Sequence, residues 1–240
     1  MESGSASIEF DRVVLRRGAN LVFDELSVTL TQRRIGLLGN NGAGKSSFLR
    51  LINGLLLPDA GIVRVDGSAT SAIRRDLPSK VGFVFQNPEH QIIFPTVREE
   101  IAFGFRERGS RRNEADSRAS EVLQQFGCGD WMNAAVHELS DGQKQRLCII
   151  AIVAMEPEIL VMDEPFASLD MPTRLDLMDF LLKLPQRLVV ASHELELLGM
   201  MDRVVWLTEG AISGDGAPED VIAAYRHCVH SSRQATAKAQ

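Results

Sequence analysis

Cysteine is scarce: the 240 residues hold three, Cys128, Cys148 and Cys228. Odd in number, widely spaced and without ligand pairing, they are expected to be reduced packing thiols, which excludes a disulfide framework and a cysteine-built metal site. Positive charge is short as well. With 26 Lys and Arg against 32 Asp and Glu the formal balance is −6, so there is no chain-wide cationic footprint for nucleic acid. The local basic run of Arg106, Arg108, Arg111 and Arg112 reads as a solvated face. Long apolar runs are missing. The longest, LCIIAIVAM at 147–155, is about half the length of a membrane span. The opening MESGSAS has neither the basic and apolar regions of a secretory signal nor a glycine at position 2 for acylation, so any tie to a membrane is expected to run through a partner. No self-similarity at a period of about 20–50 residues is visible. Apolar residues as a class are plentiful: a 45% hydrophobic composition supplies a large core and is unlike that of a disordered chain.

What is present alternates. β-like runs bounded by Gly, Pro, Asp or Asn occur at 8–15, 26–30, 34–39, 61–67, 80–86, 158–165, 187–193 and 203–210. Helical patterns occur at 45–56, 113–126, 140–156, 173–184 and 218–227. This alternation predicts an α/β fold, a mostly parallel sheet with flanking helices, and the apolar ILVM of 159–162 suits a strand buried on both faces. The segments before residue 35 and around 60–85 read as antiparallel hairpins. Helices between about 97 and 156 interrupt the alternation, and a helical lobe at about 88–157 is predicted as an insertion in one domain spanning 1–230. The small, polar tail at 231–240 is expected to fray.

Three stretches carry chemistry. In GNNGAGKSS, 39–47, residues Gly39, Gly42, Gly44, Lys45 and Ser46 satisfy G-x-x-x-x-G-K-[ST] between an apolar strand and a leucine-rich helix, the context in which the pattern means a phosphate loop. Glycines let successive amides turn toward a concentrated negative charge, and the helix start adds its positive dipole end. Asn40, Asn41, Ala43 and Ser47 complete the loop; Lys45 is assigned to the β- and γ-phosphates and the Ser46 hydroxyl to Mg²⁺. A glycine-rich turn without chemistry is the alternative. ILVMDEP, 159–165, ends a buried strand in two adjacent carboxylates, whose alternating directions allow separate roles. Asp163 suits Mg²⁺ through a water. Glu164 suits the general base on an attacking water, a role worth roughly 3–5 kcal/mol of barrier. Loop acids capping a strand are the alternative. ELSDGQKQR, 138–146, opens an apolar helix with Ser140 as N-cap and Asp141 in the first turn: a second anion site, or a plain capped helix.

Together these residues resemble the ATP-binding cassette (ABC) ATPases. A Walker A loop at 39–46, a Q-loop glutamine at Gln86, a signature LSDGQ at 139–143, a Walker B strand at 159–164, a D-loop SLD at 168–170 and a switch histidine at His193 stand in that family's order over about 8–226. The resemblance implies a RecA-like core sheet, an antiparallel β-subdomain and an inserted helical subdomain. It implies ATP and Mg²⁺, and a head-to-tail homodimer with each ATP held between one subunit's Walker A loop and the other's signature. In that arrangement Ser140, Gly142 and Gln143 bind the γ-phosphate in trans and Asp170 links the two sites. Gln86 joins Ser46 and Asp163 at the metal, and His193 steadies the γ-phosphate beside Glu164. If ATP contacts both subunits and ADP cannot span them, binding favours the closed dimer and hydrolysis releases it. Two departures stand out. Arg16 and Arg17 occupy the place of an adenine-stacking aromatic, though the guanidinium plane of Arg16 can stack on a base. Asp141 replaces a common signature glycine, and its carboxylate is expected to point away from the phosphates.

The stretch QNPEHQIIFPTVREEIAFG, 86–104, resembles the matching region of ATPases in energy-coupling-factor (ECF) vitamin and metal importers, where QNP-x-x-Q and PTV-x-E-x-(I/V)-AFG recur. That implies a peripheral subunit on the cytoplasmic face of the inner membrane. Its segment 86–95 would meet an integral membrane coupling protein, which works with a substrate-binding membrane protein and no nucleic acid. Core packing of Ile92, Ile93 and Phe94 is the competing reading of those residues. The short C-terminal region leans toward a biotin importer, with a cobalt or nickel importer or another ABC transporter as alternatives. Only about 90 residues separate Lys45 from Leu139, too few for the coiled coil of the DNA-repair ABC proteins, and no N/T-K-x-D motif of a GTPase is found. A non-hydrolysing regulatory subunit is the rival class, opposed by Lys45, Asp163, Glu164 and His193 together.

Overall fold

The computed structural model describes residues 7–167 and 169–238. Its first half runs β1 (Ile8–Arg17), β2 (Asn20–Leu30), β3 (Arg34–Leu38), α1 (Lys45–Ile52), β4 (Ala60–Val65), β5 (Ser68–Ala69), α2 (Leu77–Lys80), β6 (Val81–Val84), α3 (Val97–Glu107) and α4 (Arg112–Gln125). Its second runs α5 (Asp141–Val153), β7 (Ile159–Asp163), α6 (Met171–Lys183), β8 (Arg187–Ala191), α7 (Leu195–Leu198), β9 (Arg203–Thr208), β10 (Ala211–Gly216) and α8 (Pro218–Lys238). These elements form two compact units: residues up to Leu77 with those from Arg187 onward, and Pro78–Gln186.

In the first unit, tight turns set the strand pairing. Asp66 and Gly67, with φ of 51° and 73°, join β4 to β5, and Glu209 and Gly210, with φ of 49° and 79°, join β9 to β10. Positive φ at both central residues is what a type I′ hairpin needs. β1 pairs antiparallel with β2, Ile8 opposite Leu30, and with β4, Ile8 opposite Val65, giving the order β2-β1-β4-β5. Alternation buries Ile8, Phe10, Val63 and Val65, and α1 packs there with Phe48 stacked on Phe10 at 4.1 Å. β3 runs parallel to β8 and β9, while β10 closes antiparallel on β9. Ile35, Leu37 and Leu38 of β3 are fully buried, as a central parallel strand requires. Gly39 therefore leaves the carboxyl end of parallel strands, the place where open α/β sheets bind ligands.

α8 outruns the amphipathic pattern 218–227 and continues to Lys238. Its later residues lack an apolar stripe, but no Gly or Pro among them stops a helix. The segment expected to fray thus begins as helix, and residues 239 and 240 lie outside the described residues.

In the second unit β6 and β7 are parallel, from Val81 opposite Ile159 to Val84 opposite Met162. This corrects the antiparallel expectation around 60–85 for its last part: VGFV is buried at all four positions, the pattern of a strand covered on both faces rather than of a half-solvated hairpin. α3, α4 and α5 enclose a core that includes Ile101, Phe105, Ala119, Leu123, Leu147 and Ile150. Side-chain caps define two helix starts: Thr96 accepts from the Glu99 N–H at α3, and Asp170 accepts from the Thr173 N–H at α6, with Pro172 in its first turn. The expected helical lobe lies inside this unit together with β6, β7 and α6.

Candidate nucleotide site

The loop after β3 is shaped by close approach. A Cβ added at Gly39 would stand 2.4 Å from the Leu207 carbonyl oxygen, and one at Gly44 would stand 2.8 Å from the Phe23 ring. β9 thus lies against the start of the loop and β2 against its end, and neither leaves room for a side chain. Ala43 N–H donates to Asn40 C=O at 3.1 Å, Gly210 N–H to Ala43 C=O at 3.3 Å, and the Tyr225 hydroxyl to Asn40 Oδ1 at 3.1 Å. α1 then begins with no capping side chain and no acid in its first turn. A helix N-terminus left uncapped at the end of such a loop is built for an anion. Lys45 is 7% exposed and its Nζ donates to Gly39 C=O at 2.6 Å and to Asn40 C=O at 3.4 Å. Its ammonium therefore lies over the cradle. Ser46 and Ser47 are half-buried on the first helical turn.

The carboxylates belong to the second unit. β7 ends at buried Asp163, and half-buried Glu164 follows with φ of 48°. Left-handed backbone costs a non-glycine residue about 1–3 kcal/mol and recurs at functional sites; Pro165 behind it disfavours the right-handed region. The break in extended backbone gives the two adjacent acids different surroundings. Gln86, just past β6, lines a cavity of about 500 Å³ with Glu89, Asp141, Lys144 and Leu169. Among the described residues no group of three or more His, Cys, Asp and Glu could hold a metal. The predicted set of Ser46, Gln86 and Asp163 offers a hydroxyl, an amide carbonyl and one carboxylate. Hard oxygens with a single charge fit Mg²⁺, which keeps waters and takes few carboxylates.

α5 opens on a reciprocal capping box. Ser140 Oγ accepts from Gln143 N–H at 3.3 Å, and Gln143 Oε1 accepts from Ser140 N–H at 2.8 Å. That leaves the serine hydroxyl proton and the glutamine NH₂ group to donate outward. Gly142 is required by packing inside the chain: a Cβ there would stand 2.0 Å from Thr173 Cγ2 of α6. Thr173 N–H is in turn accepted by Asp170 Oδ1 at 3.0 Å, and hydrogen bonds from the Thr173 side chain and backbone hold the Asp170 carboxyl below its usual range. The signature glycine and the D-loop aspartate thus meet at one residue. Asp141 lines the Gln86 cavity and lies within electrostatic reach of Lys144.

Arg16 sits exposed on β1 opposite Leu21, with its N–H on Asp59 at 2.6 Å. The next residues of β2, Val22 and Phe23, pack on Gly44, which places Arg16 close along the sheet to the helix start. His193 follows β8 with its side chain 65% exposed and Nε2 3.7 Å from the Glu194 carboxylate. The first unit therefore carries Arg16, 39–47 and His193, and the second carries Gln86, Ser140, Gly142, Gln143, Asp163, Glu164 and Asp170. Ser168 of the D-loop lies outside the described residues. Reasoning from sequence missed Leu207, Gly210 and Tyr225 around the loop and Thr173 beside Gly142; the EG pair at 209–210 signals a hairpin, but nothing local says what the hairpin abuts. For 92–94 the core-packing reading holds for two of the three residues. Ile92 packs on the helical core and the Phe94 ring lies 5.1 Å from Phe103, whereas Ile93 is 68% exposed. Buried Glu100 fixes that turn by accepting the N–H groups of Ile93 and Phe94, each at 2.9 Å.

A phosphate loop of this build defines a nucleoside-triphosphate-binding protein of the P-loop class. Within it, the chain belongs to the ABC transporter family, whose model matches residues 23–167, and it is an ATPase of that family. It is 46% identical over 219 residues to the biotin transport ATP-binding protein BioM of Rhodobacter capsulatus, covering 91% of this chain and 94% of that one. It is 38% identical over 195 residues to the energy-coupling factor transporter ATP-binding protein EcfA of Methanothermobacter thermautotrophicus, covering 78% of this chain and 63% of that one. Among solved structures, cbiO1 from Clostridium perfringens, part of the ABC transporter complex cbiONQ, superposes with a TM-score of 0.81 at 26% identity over 90% of both chains.

Proposed function

We propose that this chain is the ATPase subunit of an ECF-type importer and that it drives uptake of a vitamin, biotin, through membrane partners. The observation that carries the catalytic reading is the uncapped start of α1 beneath Lys45. The 46% identity to BioM over 91% of this chain supports the cargo, and the likeness to EcfA supports the importer type. No helix among the described residues is long and apolar enough to cross a membrane. The exposed Ile93, on a turn anchored by Glu100, is the proposed contact with an integral membrane coupling protein. A second membrane protein would bind the substrate, and the ATPase would sit peripherally on the cytoplasmic face of the inner membrane.

The amides of Gly39 to Lys45 and the first turn of α1 bind the β- and γ-phosphates, and Lys45 exchanges the Gly39 carbonyl for phosphate oxygens. Arg16 stacks on adenine. Ser46, Gln86 and Asp163 hold Mg²⁺, which when bound neutralises charge on the phosphate oxygens. Glu164 takes the proton of the attacking water, and His193 donates to the γ-phosphate. Ser140, Gly142 and Gln143 of a second copy close the site in a head-to-tail homodimer, with Asp170 linking the two sites. Purification of the chain from native membranes tests this reading: a biotin-binding membrane protein and an integral coupling protein are expected with it, and a permease fed by a periplasmic binding protein would contradict it.

A further inference from the structure

Phe85, the residue before Gln86, is held at both its N–H and its C=O by glutamine side chains. Phe85 follows β6; its N–H donates to Gln91 Oε1 at 3.1 Å, and its C=O accepts from Gln145 Nε2 at 3.5 Å. Gln91 turns its other end to α5, Nε2 donating to Cys148 C=O at 3.0 Å. An N–H can only donate and a C=O can only accept, so the group between Phe85 and Cys148 must do both, as the uncharged carboxamide of Gln91 does with its oxygen and its NH₂. Gln145 is 2% exposed. Two further contacts join the same segment to the same helix: Lys144 Nζ meets Glu89 Oε1 at 2.6 Å, and Cys148 Sγ lies 4.0 Å from Pro88 C=O. Between them Asn87 Oδ1 caps the turn, accepting from Glu89 N–H at 2.9 Å. Residues 144, 145 and 148 share one face of α5, so the helix that starts beside Ser140 holds residues 85–91 through the Lys144 and Gln145 side chains and the Cys148 carbonyl.

We propose that Gln91 and Gln145 are positioning residues that fix Gln86 to the signature helix, so that a displacement of α5 carries Gln86 with it instead of being absorbed in the loop. The proposal rests on the assignment of Gln86 to the metal and deepens it: seating of α5 on the second copy's nucleotide becomes the condition for Gln86 to reach the ion of its own chain.

Two variants of the full chain separate the contacts. Gln91→Leu removes both bonds, and Gln91→Glu keeps the acceptor for Phe85 while losing the donor to Cys148. Hydrogen exchange at the Phe85 amide is expected to quicken about tenfold or more in Gln91→Leu and to stay near wild type in Gln91→Glu. In both, the Mg²⁺ concentration for half-maximal ATP turnover is expected to rise about 10–100-fold, with ATP affinity in the absence of Mg²⁺ unchanged. Gln86→Ala provides the reference. If it raises the Mg²⁺ requirement and the folded Gln91 variants do not, the positioning role is refuted while the metal assignment stands. If Gln86→Ala leaves the requirement unchanged, the metal assignment fails and the proposal falls with it. Should Gln91→Leu fail to fold, Gln91→Glu decides the matter.

Discussion

Two glycines in equivalent turns give a controlled measure of what supports the Walker A loop. Gly67 and Gly210 each occupy the second central position of a two-residue hairpin, with φ of 73° and 79°. Alanine at either one meets the left-handed backbone penalty, about 1–2 kcal/mol. At Gly67 nothing lies within 4 Å of the added Cβ, and the expected loss ends there. At Gly210 the Cβ would stand 1.8 Å from the Val22 carbonyl oxygen and 2.9 Å from its carbon, main-chain atoms that cannot rotate aside. Overpacking of this kind adds about 1–3 kcal/mol. Each 1 kcal/mol shifts Tm by about 2–4 °C in a chain of this size. Gly67→Ala should therefore lower Tm by about 2–8 °C, and Gly210→Ala by about 4–20 °C. A second readout follows from the hydrogen bond of Gly210 N–H to Ala43 C=O: a displaced turn releases the loop, and losing one such bond weakens ATP binding by about 2–10-fold. Calorimetric Tm and equilibrium ATP titration on both variants test this. Equal Tm losses, with ATP affinity unchanged in Gly210→Ala, would refute the close approach and the support it implies.

Gly142→Ala should destabilise the chain by about 1–3 kcal/mol through its clash with Thr173 Cγ2, and Thr173→Ser, which removes that methyl, should recover most of the loss. A chemical-denaturation double-mutant cycle with no coupling would contradict the contact. Burial raises the thiol pKa of Cys128 and takes that of Cys148 to about 12, whereas Cys228 is exposed. At pH 8, below both raised values, the two buried thiols stay protonated and unreactive. Mass analysis after alkylation should show one modified cysteine in the native chain and three in the denatured one; fast native modification of Cys148 would contradict its burial.

The parts of the site legible in the sequence are those whose constraint is local. Gly39 to Ser46 announce a phosphate loop because backbone freedom, helix start and lysine all fall within one turn of chain. Ser140 and Gln143 announce a capped helix for the same reason. What stayed hidden is long-range: Leu207 and Val22 are the atoms that forbid side chains at Gly39 and Gly210, and Thr173 does so for Gly142, each from an element distant in the chain. The pairing of β6 was misread because VGFV is short enough for either a hairpin or a buried parallel strand, and its partner Ile159 lies far along the sequence. The left-handed backbone of Glu164 leaves no mark beyond Pro165. The two roles of Gln91 are likewise invisible without the fold, since a glutamine in a polar turn is ordinarily solvated.

The central claim is that one ATP is held between the Walker A amides of one chain and the signature residues of a second until Glu164 activates water. Glu164→Gln, in which turnover should fall about 10²–10⁴-fold, isolates the bound state. Its mass in solution with saturating Mg²⁺ and ATP, measured by sedimentation equilibrium, tests the claim most directly: the account predicts a dimer that reverts to monomer when ADP replaces ATP. A monomer with both nucleotides would contradict it.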